Sequence, residues 1–132
     1  MKRLLLDTHV LIWWLLEDKN LSQYATDLIA DAANDVYVSA ASIWEISIKM
    51  EKGLLNLPEQ VFTVIEREDF IALPMTAFHA EQAGKLPKHH HDPFDRMLIA
   101  QAQAEGLILI TADANIPLYG IRTLNPSTSD LR

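Results

Sequence analysis

Residues 3–7 read Arg3-Leu4-Leu5-Leu6-Asp7, a run of leucines that a carboxylate closes. Three consecutive leucines predict a short strand buried on both faces, which is typical of a strand inside a parallel sheet. The apolar residues 10–16 follow almost at once and predict a helix. A strand that leads directly into a helix indicates the α/β class, with a mostly parallel sheet.

The same alternation of strand and helix continues along the chain. Further strands are predicted at residues 36–38, 70–73, 107–111 and 121–124. The helices between them are predicted to begin at a capping residue or a first-turn proline: Ser22, either Ser39 or Ser42, Pro58, Thr76 and Asp92. No repeat, low-complexity tract or long linker divides the sequence, so residues 1–132 are expected to form one domain of ordinary size.

Composition limits the classes of protein that fit. The 49% hydrophobic content is enough for a core, and the absence of cysteine excludes disulfides and thiolate chemistry. Asp7 and His9 interrupt the N-terminal apolar run too early for a signal peptide. No window approaches the roughly 20 apolar residues of a transmembrane helix. We therefore expect a cytoplasmic protein that does not act at a membrane.

The net charge of −7 argues against a protein that holds nucleic acid by a general basic surface. It does not exclude a nuclease, because part of the acidity can belong to a site whose charge a bound metal offsets.

Four acidic residues stand where predicted strands end and helices begin. Asp7 closes the first strand, Asp113 follows the fourth, Glu45 lies in the helix after the second, and Asp95 lies near the start of a later helix. Ligands of an open parallel sheet bind outside the carboxyl ends of its strands, so these side chains are expected to converge. Converging carboxylates repel unless they are neutralised, and a hard divalent cation with oxygen ligands does so. The pattern predicts a metal-dependent enzyme that acts on phosphates.

Three of these acids also have a purely structural interpretation. Asp7 could form an exposed turn at a strand end, and Asp113 could cap a turn after one. Glu45 and Lys49 are four residues apart, in the favourable order for a surface ion pair. The functional interpretation rests on all four acids together.

Asp95 belongs to the segment Asp92-Pro93-Phe94-Asp95, which resembles a capping box. We interpret Asp92 as the helix cap and Asp95 as the metal ligand. Both acids would lie at the same rim, so the spacing leaves open which of them is nearer to the metal.

Histidines and cations accompany these acids. Adjacent histidines cannot all bind one ion, and nothing completes a zinc site, so His89-His90-His91 is interpreted as a solvated loop, with a lesser chance that one imidazole contacts phosphate. His9 either touches substrate or packs at a helix start. Lys49 and Arg96 are nearby cations that could stabilise a phosphate transition state.

Four segments together resemble the PIN domain, and specifically the VapC-like toxins of toxin–antitoxin pairs. They are Leu4-Leu5-Leu6-Asp7-Thr8-His9, Ser39-Ala40-Ala41-Ser42-Ile43-Trp44-Glu45-Ile46, Asp92-Pro93-Phe94-Asp95-Arg96-Met97-Leu98-Ile99-Ala100-Gln101-Ala102 and Leu109-Ile110-Thr111-Ala112-Asp113. Their order and spacing fit across nearly the whole chain, which makes the combination specific.

The resemblance implies a PIN-like fold, in which helices flank a short, mostly parallel sheet of about five strands. It implies a ribonuclease that uses Mg²⁺ or Mn²⁺, that forms a homodimer and that a cognate antitoxin silences. By position, the family's catalytic and metal-binding acids are Asp7, Glu45, Asp95 and Asp113. The possible supporting or substrate contacts are Thr8, His9, Asp92, Arg96 and Thr111. Many relatives carry a further acid where this chain has Asn115, so the number of metal ions, one or two, stays open.

The hypothesis is therefore hydrolysis of RNA by metal-activated water. The main alternative is a catalytically silent PIN-like module that acts through a protein partner. A haloacid-dehalogenase-type phosphatase would need an aspartate where His9 stands, and no glycine-rich phosphate loop is present.

Overall fold

The computed structural model describes residues 1–127 and contains a five-stranded sheet with helices on both faces. The strands are β1 (Arg3–Leu6), β2 (Asp35–Ser39), β3 (Ile71–Leu73), β4 (Ile108–Ile110) and β5 (Thr123–Leu124). The helices are α1 (Thr8–Leu16), α2 (Gln23–Ala30), α3 (Ala40–Glu51), α4 (Val61–Arg67), α5 (Ala77–Lys85) and α6 (Pro93–Glu105). A 3₁₀ turn spans Ile116–Tyr119. The α/β prediction is confirmed.

The leucine strand β1 lies at the centre of the sheet, whose order is β3-β2-β1-β4-β5. All pairings are parallel, and Leu5 pairs with Tyr37 of β2 on one side and Leu109 of β4 on the other. From β1 the chain adds β2 and β3 on one side, whereas β4 and β5 lie on the opposite side. The order therefore reverses between β1 and β4, which is where open α/β sheets bind their ligands.

Alternating leucines of β1 enter two separate cores. Leu4 and Leu6 pack against apolar residues of α1 to α4, whereas Leu5 packs with Leu98 and Ile99 of α6 on the other face. All three leucines are fully buried. This two-sided burial explains why the strand is an unbroken apolar run. None of the helices in residues 1–127 is long and apolar enough to cross a membrane.

Side-chain caps begin four of the predicted helices, α2, α3, α5 and α6. Ser22 accepts a hydrogen bond from the backbone N–H of Ala25, and Ser39, rather than Ser42, caps α3. Thr76 forms a reciprocal capping box with His79.

The prediction that a helix begins at Pro58 is wrong. The chain bends at Pro58 after burying Leu57, and α4 begins only at Val61. The apolar face of α4 is formed by Val61, Val64 and Ile65, so core packing determines where the helix starts.

Candidate active site

Asp7 follows β1 directly and is almost completely buried, with 4% of its surface exposed. Its backbone N–H donates to the carbonyl of Ile110 (3.1 Å), which fixes it against the end of β4. Its Oδ1 caps α1 by accepting the N–H of His9 (2.7 Å), and its Oδ2 accepts the hydroxyl of Thr111 (2.7 Å). Asp7 is thus both a helix cap and a buried carboxylate at the reversal point of the sheet.

Thr111 connects the first acid to the fourth. Its buried hydroxyl donates to Asp7 and accepts the backbone N–H of Asp113 (3.1 Å). Asp113 uses Oδ1 to accept the N–H of Asn115 (2.8 Å), as a turn cap does. Its Oδ2 lies 2.8 Å from Nε2 of His90. Asp113 therefore supports a turn with one oxygen and faces the site with the other.

Glu45 enters the site from α3, which is tied to α1 by the buried hydrogen bond from Thr8 Oγ1 to Ser42 Oγ (2.9 Å). Its Oε2 lies 3.4 Å from Nζ of Lys49, so the expected ion pair is present. Its Oε1 is buried and has no hydrogen-bond partner among residues 1–127. A buried carboxylate oxygen without a partner is costly, and a cation in the site would satisfy it.

The first turn of α6 separates the roles of its two acids. Asp92 uses Oδ1 to accept the backbone N–H groups of Phe94 (2.8 Å) and Asp95 (3.0 Å). Asp95 Oδ2 lies 3.0 Å from Nε2 of His90. Phe94 and Trp44 make an edge-to-face contact, with ring centroids 5.4 Å apart, beside the turns that carry Asp95 and Glu45. The geometry supports Asp92 as the cap and Asp95 as the residue that faces the site.

The pKa of Asp95 reflects its burial and the charges of the neighbouring acids. Burial, and after it the negative charges of Asp7, Asp92 and Glu45, raise this pKa to about 7, while His90 opposes the increase. Carboxylates from β1, α3 and α6 thus share one electrostatic environment. The convergence expected from the strand ends is present.

The donor set fits a divalent cation. The carboxylate oxygens of Asp95 and Asp113 that face His90 lie within 4.8 Å of each other. Oε1 of Glu45 is buried without a partner among residues 1–127, and burial with the neighbouring acids raises the pKa of Asp95, so a cation in the site would stabilise both carboxylates. Carboxylate oxygens are the ligands that hard ions such as Mg²⁺ and Mn²⁺ prefer.

Comparison with known proteins agrees with this architecture. Residues 4–121 match the model of the PIN domain family. The chain belongs to the PIN domain family. Ribonuclease VapC22 of Mycobacterium tuberculosis is 31% identical to this PIN domain over 119 residues, which cover 88% of this chain and 91% of that protein.

Solved structures share the same fold at lower identity. The DNA-bound VapBC of Salmonella typhimurium is 20% identical, with a TM-score of 0.70 over 96% of this PIN domain and 99% of that chain. VapBC-1 of nontypeable Haemophilus influenzae is 17% identical, with a TM-score of 0.67 over 96% and 99% of the two chains. These similarities show that the PIN-like fold extends over nearly the whole chain.

Two residues of this PIN domain were not recognised as members of the site from the sequence. His90 was interpreted as part of a solvated loop, yet its side chain is only 13% exposed and lies between Asp95 and Asp113. Ser42, considered only as a helix cap, supports Thr8. The only sequence signal that could have placed His90 in the site is its position in a histidine run, two residues before Asp92. His9 is exposed, but it is near enough to help lower the pKa of Asp113.

Arg96 lies beside the acids in sequence but is occupied elsewhere. Its two terminal nitrogens donate to four backbone carbonyls at the end of α5 and in the following loop: Ala83 (2.9 Å), Leu86 (3.0 Å), Pro87 (3.1 Å) and His90 (3.1 Å). These bonds use all four terminal N–H groups of the guanidinium. The structure thus supports a role for Arg96 in holding the loop rather than in contacting phosphate.

Replacing Arg96 with Met should lower the free energy of unfolding by about 2–3 kcal/mol, because four hydrogen bonds worth about 1 kcal/mol each are lost and methionine keeps part of the apolar stem. Urea denaturation measures this effect. Arg122→Met, at an exposed position, is the matched control. A loss below about 0.5 kcal/mol, the range of ordinary surface substitutions, would contradict the structural role.

Proposed function

We propose that this PIN domain, acting as one unit over residues 1–132, is a metal-dependent endoribonuclease that hydrolyses RNA phosphodiester bonds. The observation that carries the proposal is the convergence of Asp7, Glu45, Asp95 and Asp113 at the reversal point of the sheet. The 31% identity to a protein named as a ribonuclease supports the choice of RNA as substrate.

The four acids would hold Mg²⁺ or Mn²⁺, directly or through water. Such an ion supplies a bound water of lowered pKa and neutralises charge on the phosphate. Thr111 holds the carboxylate of Asp7 in place, and Ser42 with Thr8 fixes α3 relative to α1. Asp95, whose pKa lies at about 7, must give up its proton to become a ligand. Thr111, Ser42 and Thr8 thus position the proposed ligands. Only the ligands themselves would contact the ion.

Hydrolysis by water determines which groups the two new RNA ends carry. Water attacks phosphorus, the 3′ oxygen leaves with a proton, and the new ends are a 5′ phosphate and a 3′ hydroxyl. The 2′ hydroxyl takes no part as a nucleophile, so no cyclic phosphate forms. This distinguishes the proposed reaction from metal-independent RNA cleavage.

The biological role that we propose is the toxin of a toxin–antitoxin pair in the cytoplasm. Several similar structures are VapBC or FitAB complexes, and some of them are bound to DNA. By analogy, the partner of this chain would be a cognate antitoxin protein, and the chain would form a homodimer.

Cleavage of a total-RNA pool by the purified protein tests the activity. We expect fragments with 5′ phosphates in Mg²⁺ or Mn²⁺ and no cleavage in excess EDTA, because the carboxylates alone cannot activate water. Cleavage that persists in EDTA, or fragments with 2′,3′-cyclic ends, would contradict metal-dependent hydrolysis. Metal binding without any cleavage across pools from several sources would favour the silent binding module.

A further inference from the structure

His90 lies in the loop between α5 and α6 and touches two of the proposed ligands at once. Its Nε2 is 2.8 Å from Oδ2 of Asp113 and 3.0 Å from Oδ2 of Asp95. The two carboxylates belong to different segments, one after β4 and the other in α6. A single ring nitrogen therefore joins two parts of the chain that the proposed ion would also join.

The other ring nitrogen establishes which tautomer is present. Nδ1 of His90 lies 3.2 Å from the backbone nitrogen of Asp92, whose N–H points to it. Nδ1 must therefore carry a lone pair, and in a neutral imidazole the proton is then on Nε2. His90 donates this N–H to Asp113 and lies in close contact with Asp95, and it has no lone pair on Nε2 with which to bind an ion.

The backbone of His90 is held as firmly as its ring. Its N–H donates to the hydroxyl of Tyr119 (2.9 Å), and its carbonyl accepts a hydrogen bond from Arg96 (3.1 Å). The hydroxyl of Tyr119 in turn donates to the carbonyl of Pro87 (2.6 Å). The fold thus places the imidazole against the acids, since the loop has fixed contacts on both sides of the residue.

We propose that His90 takes the place of the divalent ion between Asp95 and Asp113, and that it thereby lowers the metal affinity of the site. Nε2 lies within 3.0 Å of both oxygens and donates its proton to Asp113, so an ion that bound both oxygens at about 2 Å would overlap the imidazole. The ion and the imidazole of His90 therefore compete for the space between the same two oxygens. This inference rests on the proposed function, because it concerns the ion that the nuclease would use.

Calorimetric titration of the metal-free protein with Mn²⁺ alone tests the proposal. His90→Leu keeps an apolar side chain of similar reach but removes the donor, so we expect Mn²⁺ to bind roughly tenfold more tightly, equivalent to about 1.4 kcal/mol. His90→Gln restores an N–H donor and should bind within about threefold of the wild type. His91→Leu, an exposed neighbour in the same loop, is the control and should match the wild type. Thermal melts in EDTA verify that each variant is folded.

Whether His90→Leu strengthens or weakens Mn²⁺ binding shows whether His90 competes with the ion or helps to bind it. Weaker Mn²⁺ binding by His90→Leu would overturn the proposal and would identify the imidazole as a ligand or as a support for the ligands. Unchanged binding would also overturn it, while leaving the nuclease proposal intact. If neither the wild type nor His90→Leu binds Mn²⁺, both proposals fail.

Discussion

Replacing Asp7 with Asn is expected to reduce RNA cleavage by about 10²-fold or more while leaving the fold intact. Substituting a residue that only supports a metal ligand typically lowers metal affinity or activity 10- to 100-fold. Asp7 is proposed as a ligand itself, so its loss should cost at least as much. The fold should survive, because asparagine is as good a helix cap as aspartate and can still accept the N–H of His9. Thr111 would then accept a hydrogen bond from the new amide instead of donating one.

Cleavage rates of the two proteins in Mn²⁺, prepared identically, measure this effect. Asp31→Asn makes the same chemical change at an exposed turn, where Asp31 accepts the N–H of Ala33, and should leave the rate unchanged. If the Asp7→Asn protein cleaves RNA at a rate within threefold of the wild type, the assignment of Asp7 to the active site is wrong. Loss of both cleavage and the unfolding transition would instead show that the substitution disrupts the fold.

Replacing Asp95 with Asn is expected to stabilise the metal-free protein above neutral pH by about 2 kcal/mol. The pKa of Asp95 is raised to about 7 by burial and by Asp7, Asp92 and Glu45, so the ionised form is disfavoured in the folded state. The folded protein then holds a proton that the unfolded chain has lost between about pH 4 and pH 7, and stability falls as the pH rises through this window. The full pKa shift corresponds to about 4 kcal/mol in the free energy of unfolding. Because part of the side chain faces solvent, which screens the charges, we expect about half of this effect.

Urea denaturation in EDTA at pH 8 and pH 4 checks this prediction, because the gain should be present at pH 8 and absent at pH 4. Asp113→Asn is the matched control, and its expected effect on stability at pH 8 has the opposite sign. Burial raises the pKa of Asp113, but the N–H of Asn115 and His90 outweigh burial and lower it overall. Ionised Asp113 therefore stabilises the fold above its unfolded pKa, and its loss should destabilise the protein at pH 8. A destabilised Asp95→Asn protein at pH 8 would contradict the crowding of the acids.

Local signals explain why much of the fold could be predicted from the sequence. The leucines of β1 are buried on both faces, so the strand lacks the alternation that solvent exposure would impose. Asp92 and Pro93 define the start of α6 by capping and by a fixed backbone angle, both of which act within one turn. Where long-range packing determines a boundary, as at Val61, the proline signal at Pro58 was misleading.

The site was predictable only in part for the same reason. Asp7 and Asp113 follow strands whose ends meet by topology, so their convergence follows from the fold class. The position of His90 depends on the loop after α5, which Arg96 of the following helix and Tyr119 of the 3₁₀ turn hold in place. No periodicity or spacing carries that information. The same holds for the raised pKa of Asp95, which arises from charges on separate elements.

The central claim is that carboxylates from separate segments of the chain hold a divalent ion at the reversal point of the sheet. Anomalous scattering from crystals grown with Mn²⁺ tests it most directly. We expect one or two manganese peaks within about 2.3 Å of oxygens of the acid cluster, with Asp95 among the ligands. Two ions, if present, should lie roughly 3.5–4 Å apart. A cluster without a peak at saturating Mn²⁺, or manganese bound only elsewhere on the surface, would contradict the account.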